Sequence, residues 1–462
     1  MAFEFGETTN QNRCIYLDNH QYNLNFTSKS GKQHYRCITS NCSSVVHIFN
    51  NLITNTPKPH NHLDDHSSKI TRRKLIAECK EEIRSNPLNC PRGVYLDQVN
   101  KSDQQISLPT FKSIDSTLYR ARNEKITSPP KSMSEIDLEK FRVTSKGEQF
   151  LQGEAVIGND RILVYGLNEM FEKLCTSEEV LSDGTFYSAP QMFYQLYVFH
   201  FVTVDFSTPA IYALLPNKQK ETYKILLNIL KRMAIVRNLE FKPLRYIVDF
   251  ESGMIEAIKE ELPRTRVSGC LFHLNQSIFR NLSDKGLREM YNSDQTFRMK
   301  IRKLMALPFL NRESIVDRYR EIINELISTE SNHQRNNIIL FLNYFTTTYI
   351  NHDAKFPIEL WCQYKTKIRT INNAEGWNHS INTTLSRAHP NIYHLLMSLE
   401  RDSTLNQINY RNYLETNQPP NYKRKKYLKM NNKIDEYYKL LDEEKIDEVR
   451  FLTLVSHLLA DN

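Results

Sequence analysis

At 462 residues the chain exceeds one small domain and corresponds to about three of average size. Hydrophobic residues make up 40%, enough to bury a core, yet no run of about eighteen apolar residues occurs, which excludes a membrane-spanning helix. The net charge of +8, from 61 basic and 53 acidic side chains, suits a polyanionic partner without requiring one, and eight cysteines at this length exclude a disulfide scaffold. The opening MAFEFGETTNQNR lacks a basic start followed by an apolar stretch, so no secretory signal is expected there. Clustered Cys and His therefore read as metal ligands.

Residues 1–66 are rich in Asn, Ser, Thr, Tyr and His, with short strand-like pieces. YRCITSNC supplies Cys37 and Cys42, and PHNH supplies His60 and His62. Two thiolates and two imidazoles suit tetrahedral Zn²⁺ with no position left open for chemistry. A polar segment this small needs such a staple. His34, His47 and His66 are reserve ligands. Residues 67–127 turn helical, in SKITRRKLIAECKEEIRSN and LPTFKSIDSTLYRARNEKI, around the connector NPLNCPRGVY. Arg72, Arg73, Lys74, Arg120 and Arg122 lie on these helices. They suit either the phosphates of duplex DNA or a solvated helix face. SPPKSMSE then opens a linker and lead-in over 128–174.

From about residue 160 the pattern becomes β then α. EVLSDGTF, QMFYQLYVFHFVTVDF, PAIYALLP, LRYIVDFE and RVSGCLFHL read as strands, the second apolar on both faces and the last running into a helix. KQKETYKILLNILKRM and SGMIEAIKEEL read as amphipathic helices, the first with Tyr223, Leu226, Leu227, Leu230 and Met233 on one face. Residues 285–350 are helical in pattern. A polar, basic, helical tail closes the chain, carrying YKRKKYLK, either a nuclear import signal or a phosphate-binding run.

Asp183 and Asp249 fall at the ends of strands, and Glu375 near the start of a helix with Asn373 as its N-cap. Strand-end acids commonly serve turns; three brought together would hold Mg²⁺, which takes carboxylate and water oxygens. A second Cys/His set, Cys270 and His273 with His389 and His394, has the spacing for another zinc, or else is a core thiol with surface histidines. Cys14, Cys79, Cys90, Cys175 and Cys362 lack partners at metal spacing, and Trp361 and Trp377 read as core.

SDGTFYSAPQMFYQLYVFH with YALLPNKQKETY, then YIVDFESGMIEAIKEELP leading into VSGCLFHLNQSIFRNL, then LWCQY with RTINNAEGWNHSIN, resemble the MULE (Mutator-like element) transposase domain over about 175–400. The resemblance implies an RNase H-like mixed sheet with a helical insertion, and a DDE site made of Asp183, Asp249 and Glu375 around Mg²⁺ or Mn²⁺. Tyr16, Tyr22, Tyr35 and the ligand order resemble a FLYWCH-type zinc finger, with Tyr35 standing where Trp is usual and SSVV lacking the usual basic residue. The expected class is α/β: a small β-rich finger at 1–66, a helical DNA-binding segment at 67–127, a catalytic domain at 175–284 and 366–405 interrupted by the insertion at 285–365, and a tail at 406–462. The implied activity is transposition in the nucleus, with the chain acting as a homo-oligomer on double-stranded DNA at element ends and target, away from membranes. A DNA-binding regulator with a silent transposase domain, and an RNase H-like nuclease without strand transfer, are the alternatives.

Overall fold

The computed structural model describes residues 3–7, 13–63, 66–101, 108–124, 126–203, 206–328, 332–385, 387–419 and 425–459. The chain divides into two units, Met1–Ser128 and Pro129–Asn462. In the first, strands β1 (Glu4–Glu7), β2 (Arg13–Leu17), β3 (His20–Thr27), β4 (Gln33–Cys37), β5 (Val45–Phe49) and β6 (Leu52–Ile53) pair antiparallel in chain order. Asp18 and Asn19 join β2 to β3, and Asn50 and Asn51 join β5 to β6, each with positive φ. Two successive positive φ values make the tight two-residue hairpin that matches strand twist, and Asn and Asp tolerate them best. Ile15, Leu17, Tyr22, Tyr35, Val46 and Ile48 form the core, with Cys37 and Cys42 among them.

Helices α1 (Ser67–Ser85), α2 (Pro91–Lys101) and α3 (Phe111–Asn123) follow. Their core is Leu75, Cys79 and Ile83 from α1, Val94 from α2, and Ile114 and Leu118 from α3. Ile70 of α1 packs on Cys14 and Tyr16 of β2, so sheet and helices form one unit.

The second unit begins with more structure than a linker. A hairpin, β7 (Leu151–Ile157) and β8 (Asp160–Gly166), and helix α4 (Asn168–Thr176) occupy the lead-in. The half-exposed alternation of β7 is a weak signal, and only pairing with β8 completes it. Then come β9 (Glu179–Thr185), β10 (Gln195–Val202), β11 (Ser207–Leu215), α5 (Lys220–Val236), β12 (Arg245–Val248), α6 (Ser252–Glu261) and β13 (Arg266–Gly269). Among the described residues the sheet order is β13-β12-β9-β10-β11-β8-β7. β12 runs parallel to β9 and β13, and the remaining neighbours are antiparallel. β10 is buried from Gln195 to Phe201, as its largely apolar pattern, broken only by Gln195 and His200, requires of a central strand covered on both faces. Tyr223, Leu226, Leu227, Leu230 and Met233 of α5 are buried together.

Beyond β13 the chain is helical: α7 (Leu271–Asp284), α8 (Arg288–Ser293), α9 (Gln295–Ala306), α10 (Arg312–Ser328), α11 (Asn332–Phe345), α12 (Ile358–Trp361), α13 (Asn372–Leu385), α14 (Ile392–Thr416), α15 (Lys425–Asp442) and α16 (Glu448–Leu458). The last two fold back rather than trail. α16 packs on α9, and the Tyr438 hydroxyl donates to the Phe309 carbonyl at 2.7 Å. The side chains from Tyr422 through Leu428, and with them the KRKK run, lie outside the described residues. No described helix is long and apolar enough to cross a membrane.

Candidate functional site

Parallel pairing sets two acids side by side. Arg245, Tyr246 and Ile247 of β12 lie opposite Glu179, Val180 and Leu181 of β9. The same offset carries Asp249, just past β12, to the level of Asp183 in β9. Glu375 arrives from α13, whose approach is fixed by a buried arginine. Arg245 donates to Glu179 (2.9 Å), Ser268 (2.9 Å), the Ile368 carbonyl (2.9 Å) and Gln363 (2.7 Å). Gln363 donates onward to the Gly269 carbonyl at 2.7 Å, and the Leu271 N–H to that of Arg369 at 2.8 Å. The segment leading into α13 is thereby pinned along β12 and β13. Asn373, expected as the N-cap, lies inside the first turn, because α13 starts at Asn372.

The three carboxyl groups feel one another. Burial first, then the charges of Asp249 and Glu375, push Asp183 up to about 7. Burial also raises Asp249 and Glu375, against the pull of His273. His273 Nε2 stands 3.4 Å from Glu375 Oε1. Asp183 accepts hydrogen bonds from the Gly184 N–H (2.9 Å) and from Asn378 Nδ2 (2.8 Å), and Asp249 from the Glu251 N–H (3.2 Å). Glu375 Oε1 is buried without a hydrogen-bond partner among the described residues. Crowded, largely buried carboxylates are the kind of oxygen ligand that a hard divalent cation takes.

Sequence reasoning missed several neighbours. Glu251 is a fourth acid, pushed up to about 7 by burial and then by Asp249. It accepts from the Tyr223 hydroxyl (2.9 Å), which accepts from Gln195 Nε2 (2.6 Å). Gly184 makes this chain possible: a Cβ there would stand 2.5 Å from Gln195 Oε1. Asn378 was legible in principle, since three residues after Glu375 share a helix face.

Cys270 and His273 gather with Glu375, one ligand atom from each lying within 4.8 Å of the others. The expected partners His389 and His394 are not in that group. The His389 ring donates to the Ala189 carbonyl at 3.0 Å, and His394 is buried in α14. Burial pushes the Cys270 thiol up to about 11, and it accepts from the Ile371 N–H at 3.4 Å.

In the first unit Cys37, Cys42, His60 and His62 converge. Cys37 Sγ lies 3.5 Å from His62 Nε2, Cys42 Sγ 3.4 Å from His60 Nδ1, and the two ring nitrogens 3.1 Å apart. Zinc with arms of about 2.0–2.3 Å in a tetrahedron separates its ligands by roughly 3.3–3.8 Å. The two sulfur–nitrogen separations fall in that range and the nitrogen pair just below it, so the set fits zinc with a small opening of the two rings. The outer nitrogen of His60 meets the Tyr22 hydroxyl at 2.8 Å, Tyr22 meets Ser44 at 3.2 Å, and Ser44 donates to the Lys58 carbonyl at 2.7 Å. Run as one donor chain ending on that carbonyl, it places the His60 proton on Nε2 and leaves Nδ1 free to ligate. Burial, then the neighbouring histidines, hold His60 down to about 4, in the neutral form a metal needs. His66 is otherwise used: its ring meets the Gln21 N–H and the Thr39 hydroxyl, each at 3.0 Å.

Of the five basic residues, Arg72 and Arg120 are exposed. Arg73 donates to Gln21, Lys74 pairs with Glu4, and Arg122 is only 4% exposed, its guanidinium 4.9 Å from the Tyr119 ring centroid.

Residues 180–277 match the MULE transposase domain. The match spans β9 to the first half of α7. It takes in Asp183, Asp249, Cys270 and His273 and ends before Glu375. It points to a transposase-related domain. Among curated proteins nothing matches the chain.

Proposed function

We propose that the chain is a DDE-type, Mutator-like DNA transposase. It would cut DNA strands with water and join them through a 3′-hydroxyl. The observation that carries this reading is that parallel pairing brings Asp249 to the level of Asp183, near enough to Glu375 for both charges to raise Asp183. An antiparallel β9–β10–β11 meander extended by parallel β12 and β13 supports the implied RNase H-like fold. Asp183, Asp249 and Glu375 would hold two Mg²⁺ or Mn²⁺ ions, which when bound activate the attacking oxygen and stabilise the departing one. The chain's own residues aim these groups. The Gly184 N–H and Asn378 orient Asp183, the Glu251 N–H orients Asp249, and His273 bears on both Asp249 and Glu375. Lys218 brings positive charge to Asp249 and Glu251, where a phosphate backbone would approach.

The FLYWCH-like finger and its three helices would recognise element ends in duplex DNA, Arg72 and Arg120 offering the exposed cations. Action in the nucleus as a homo-oligomer on DNA belongs to the same reading. The test is nicking of supercoiled plasmid by the zinc-loaded full chain in Mg²⁺, followed by joining of a labelled 3′-hydroxyl oligonucleotide. Nicking and joining that vanish in Asp249→Asn support the reading. Nicking without joining leaves an RNase H-like nuclease, and neither leaves a binding protein.

One observation favours a second reading. A metal at Cys270, His273 and Glu375 would withdraw Glu375 from the acid set and leave a structural domain on a DNA-binding regulator. Zinc analysis separates them. One zinc per chain, lost in Cys37→Ser, favours the transposase; a second, lost in His273→Ala, favours the regulator.

A further inference from the structure

Just past the end of the first acid's strand, the chain turns apolar surface to solvent. The loop from β9 to β10 carries Phe186, Tyr187 and Tyr194, with relative exposures of 46%, 43% and 45%. Single exposed apolar residues need no explanation, but three in one loop beside an acid cluster do. The loop is not loose. The Ala189 N–H donates to the Phe186 carbonyl (3.2 Å), the Phe193 N–H to that of Pro190 (2.8 Å) and the Tyr194 N–H to that of Leu215 (2.8 Å). Ser188 donates to Asn382 of α13, and Ser188 and Ala189 are wholly buried. His389 clamps the loop from outside, its N–H on the Tyr187 carbonyl (2.9 Å) and its ring on that of Ala189 (3.0 Å). It does so from a left-handed φ of 48°, a conformation that costs a non-glycine residue about 1–2 kcal/mol. The backbone is thus held rigid while the rings face outward.

The rings have a defined arrangement. Phe186 and Tyr194 meet edge to face, centroids 5.1 Å apart. Lys218 Nζ lies 5.9 Å from the first centroid and 6.0 Å from the second, and its charge also reaches Asp249 and Glu251. One ammonium therefore links the aromatic patch to the acids.

We propose that Phe186 and Tyr194 form a stacking platform for an unpaired nucleobase of the DNA strand whose phosphate approaches the acid cluster. The proposal rests on the nucleic-acid reading of that cluster and narrows its substrate to DNA with unpaired nucleotides at the reacting position. Charge and size both favour a base over a protein. A cation beside two ring faces is the pairing that single-strand grooves use, aromatic for the base and positive for the phosphate. The three side chains expose on the order of 300 Å². That is room for a base or two and far below the roughly 800 Å² per partner of a stable protein interface.

The test compares a labelled blunt duplex with the same duplex carrying a short thymidine tail. Each is titrated with the full zinc-loaded chain in Ca²⁺, and the ratio of the two affinities is the readout. Stacking predicts a tail preference of about 5- to 150-fold per stacked base. Phe186→Ala with Tyr194→Ala should erase it, Phe186→Trp keep it, and Phe186→Leu lose it although its apolar surface remains. Quenching of 2-aminopurine in the tail should follow the same order. A wild-type chain that binds both probes alike overturns the platform and leaves the nucleic-acid reading standing. If neither probe binds, both fall. A leucine variant equal to wild type shows apolar contact in place of stacking. Alanine variants that change the oligomeric state in light scattering while keeping the tail preference show an interface between copies; either result overturns the proposal.

Discussion

Replacing Asp183 by Asn should stabilise the metal-free protein, and the gain should vanish in acid. Unfolded, Asp183 titrates near its ordinary 3.8; folded, burial and the neighbouring acids push it up to about 7. The folded state therefore holds the proton longer, and stability falls as pH rises from about 4 to about 7. At 1.36 kcal/mol per pH unit the full shift amounts to about 4 kcal/mol near pH 7.5. Water reaching the partly exposed carboxylate reduces this to about 2–4 kcal/mol, the figure to test. Unfolding entropy scales at roughly 2.1 cal/mol/K per residue, so a unit spanning Pro129 to Asn462 would melt about 3–6 °C higher in Asp183→Asn. Trp361 and Trp377 are the only tryptophans and both lie in that unit, so tryptophan fluorescence follows it alone in the full chain. Melts in magnesium-free buffer at pH 4 and 7.5 should show equal midpoints at the lower pH and a raised mutant midpoint at the higher. Mg²⁺ should raise the wild-type midpoint at pH 7.5 and barely move that of Asp183→Asn. Equal wild-type and mutant midpoints at pH 7.5 without Mg²⁺ would refute the argument that dehydrated, mutually repelling carboxylates await a cation.

Other outcomes follow from single contacts. Cys37→Ser should lose one zinc per chain by metal analysis and broaden the β-sheet signals of the first unit, since so small a sheet depends on its staple. In DNA titrations at several salt concentrations, Arg72→Ala with Arg120→Ala should flatten the log–log slope by about 2. Arg122→Ala should leave the slope alone and lower the melting temperature, because its guanidinium is buried. Gly184→Ala should cost about 1–3 kcal/mol by calorimetry, the new methyl displacing Gln195 from Tyr223.

Much of the second unit was legible because its signals are local. The largely apolar run of β10, with residues on both faces, marks a central strand, and the spacing in α5 marks its buried face. Asp183 and Asp249 stood out as acids closing strands and Glu375 as an acid opening a helix, and the resemblance over three sequence blocks joined them into one set. What spacing could not say is which distant pieces meet. Two Cys/His pairs of suitable internal spacing suggested one zinc, yet the tie of His389 to Ala189 and the pinning of α13 by Arg245 decide the partners, and Cys270 and His273 meet Glu375 instead. Arg122 failed for the opposite reason. Its helical position repeats the burial of Ile114, Leu118 and Ala121, but its charge drew the reading to the surface. β7 escaped because a half-exposed strand acquires its pattern from the sheet it joins, whereas the buried apolar run at 162–165 of β8 was a legible signal passed over.

The separation of the third acid along the chain also sets a clock. Asp183 and Asp249 belong to neighbouring strands, but Glu375 follows Asp249 by 126 residues, most of them in helices. At roughly 5–20 residues per second, synthesis parts them by about 6–25 s. For that interval the nascent chain can hold a paired β9 and β12 with two of its acids and no third. Arg245 waits as well, since Gln363 and the Ile368 carbonyl have yet to be made. A polypeptide truncated within the helical insertion would resemble the finished domain in its sheet while lacking the group that completes its cluster.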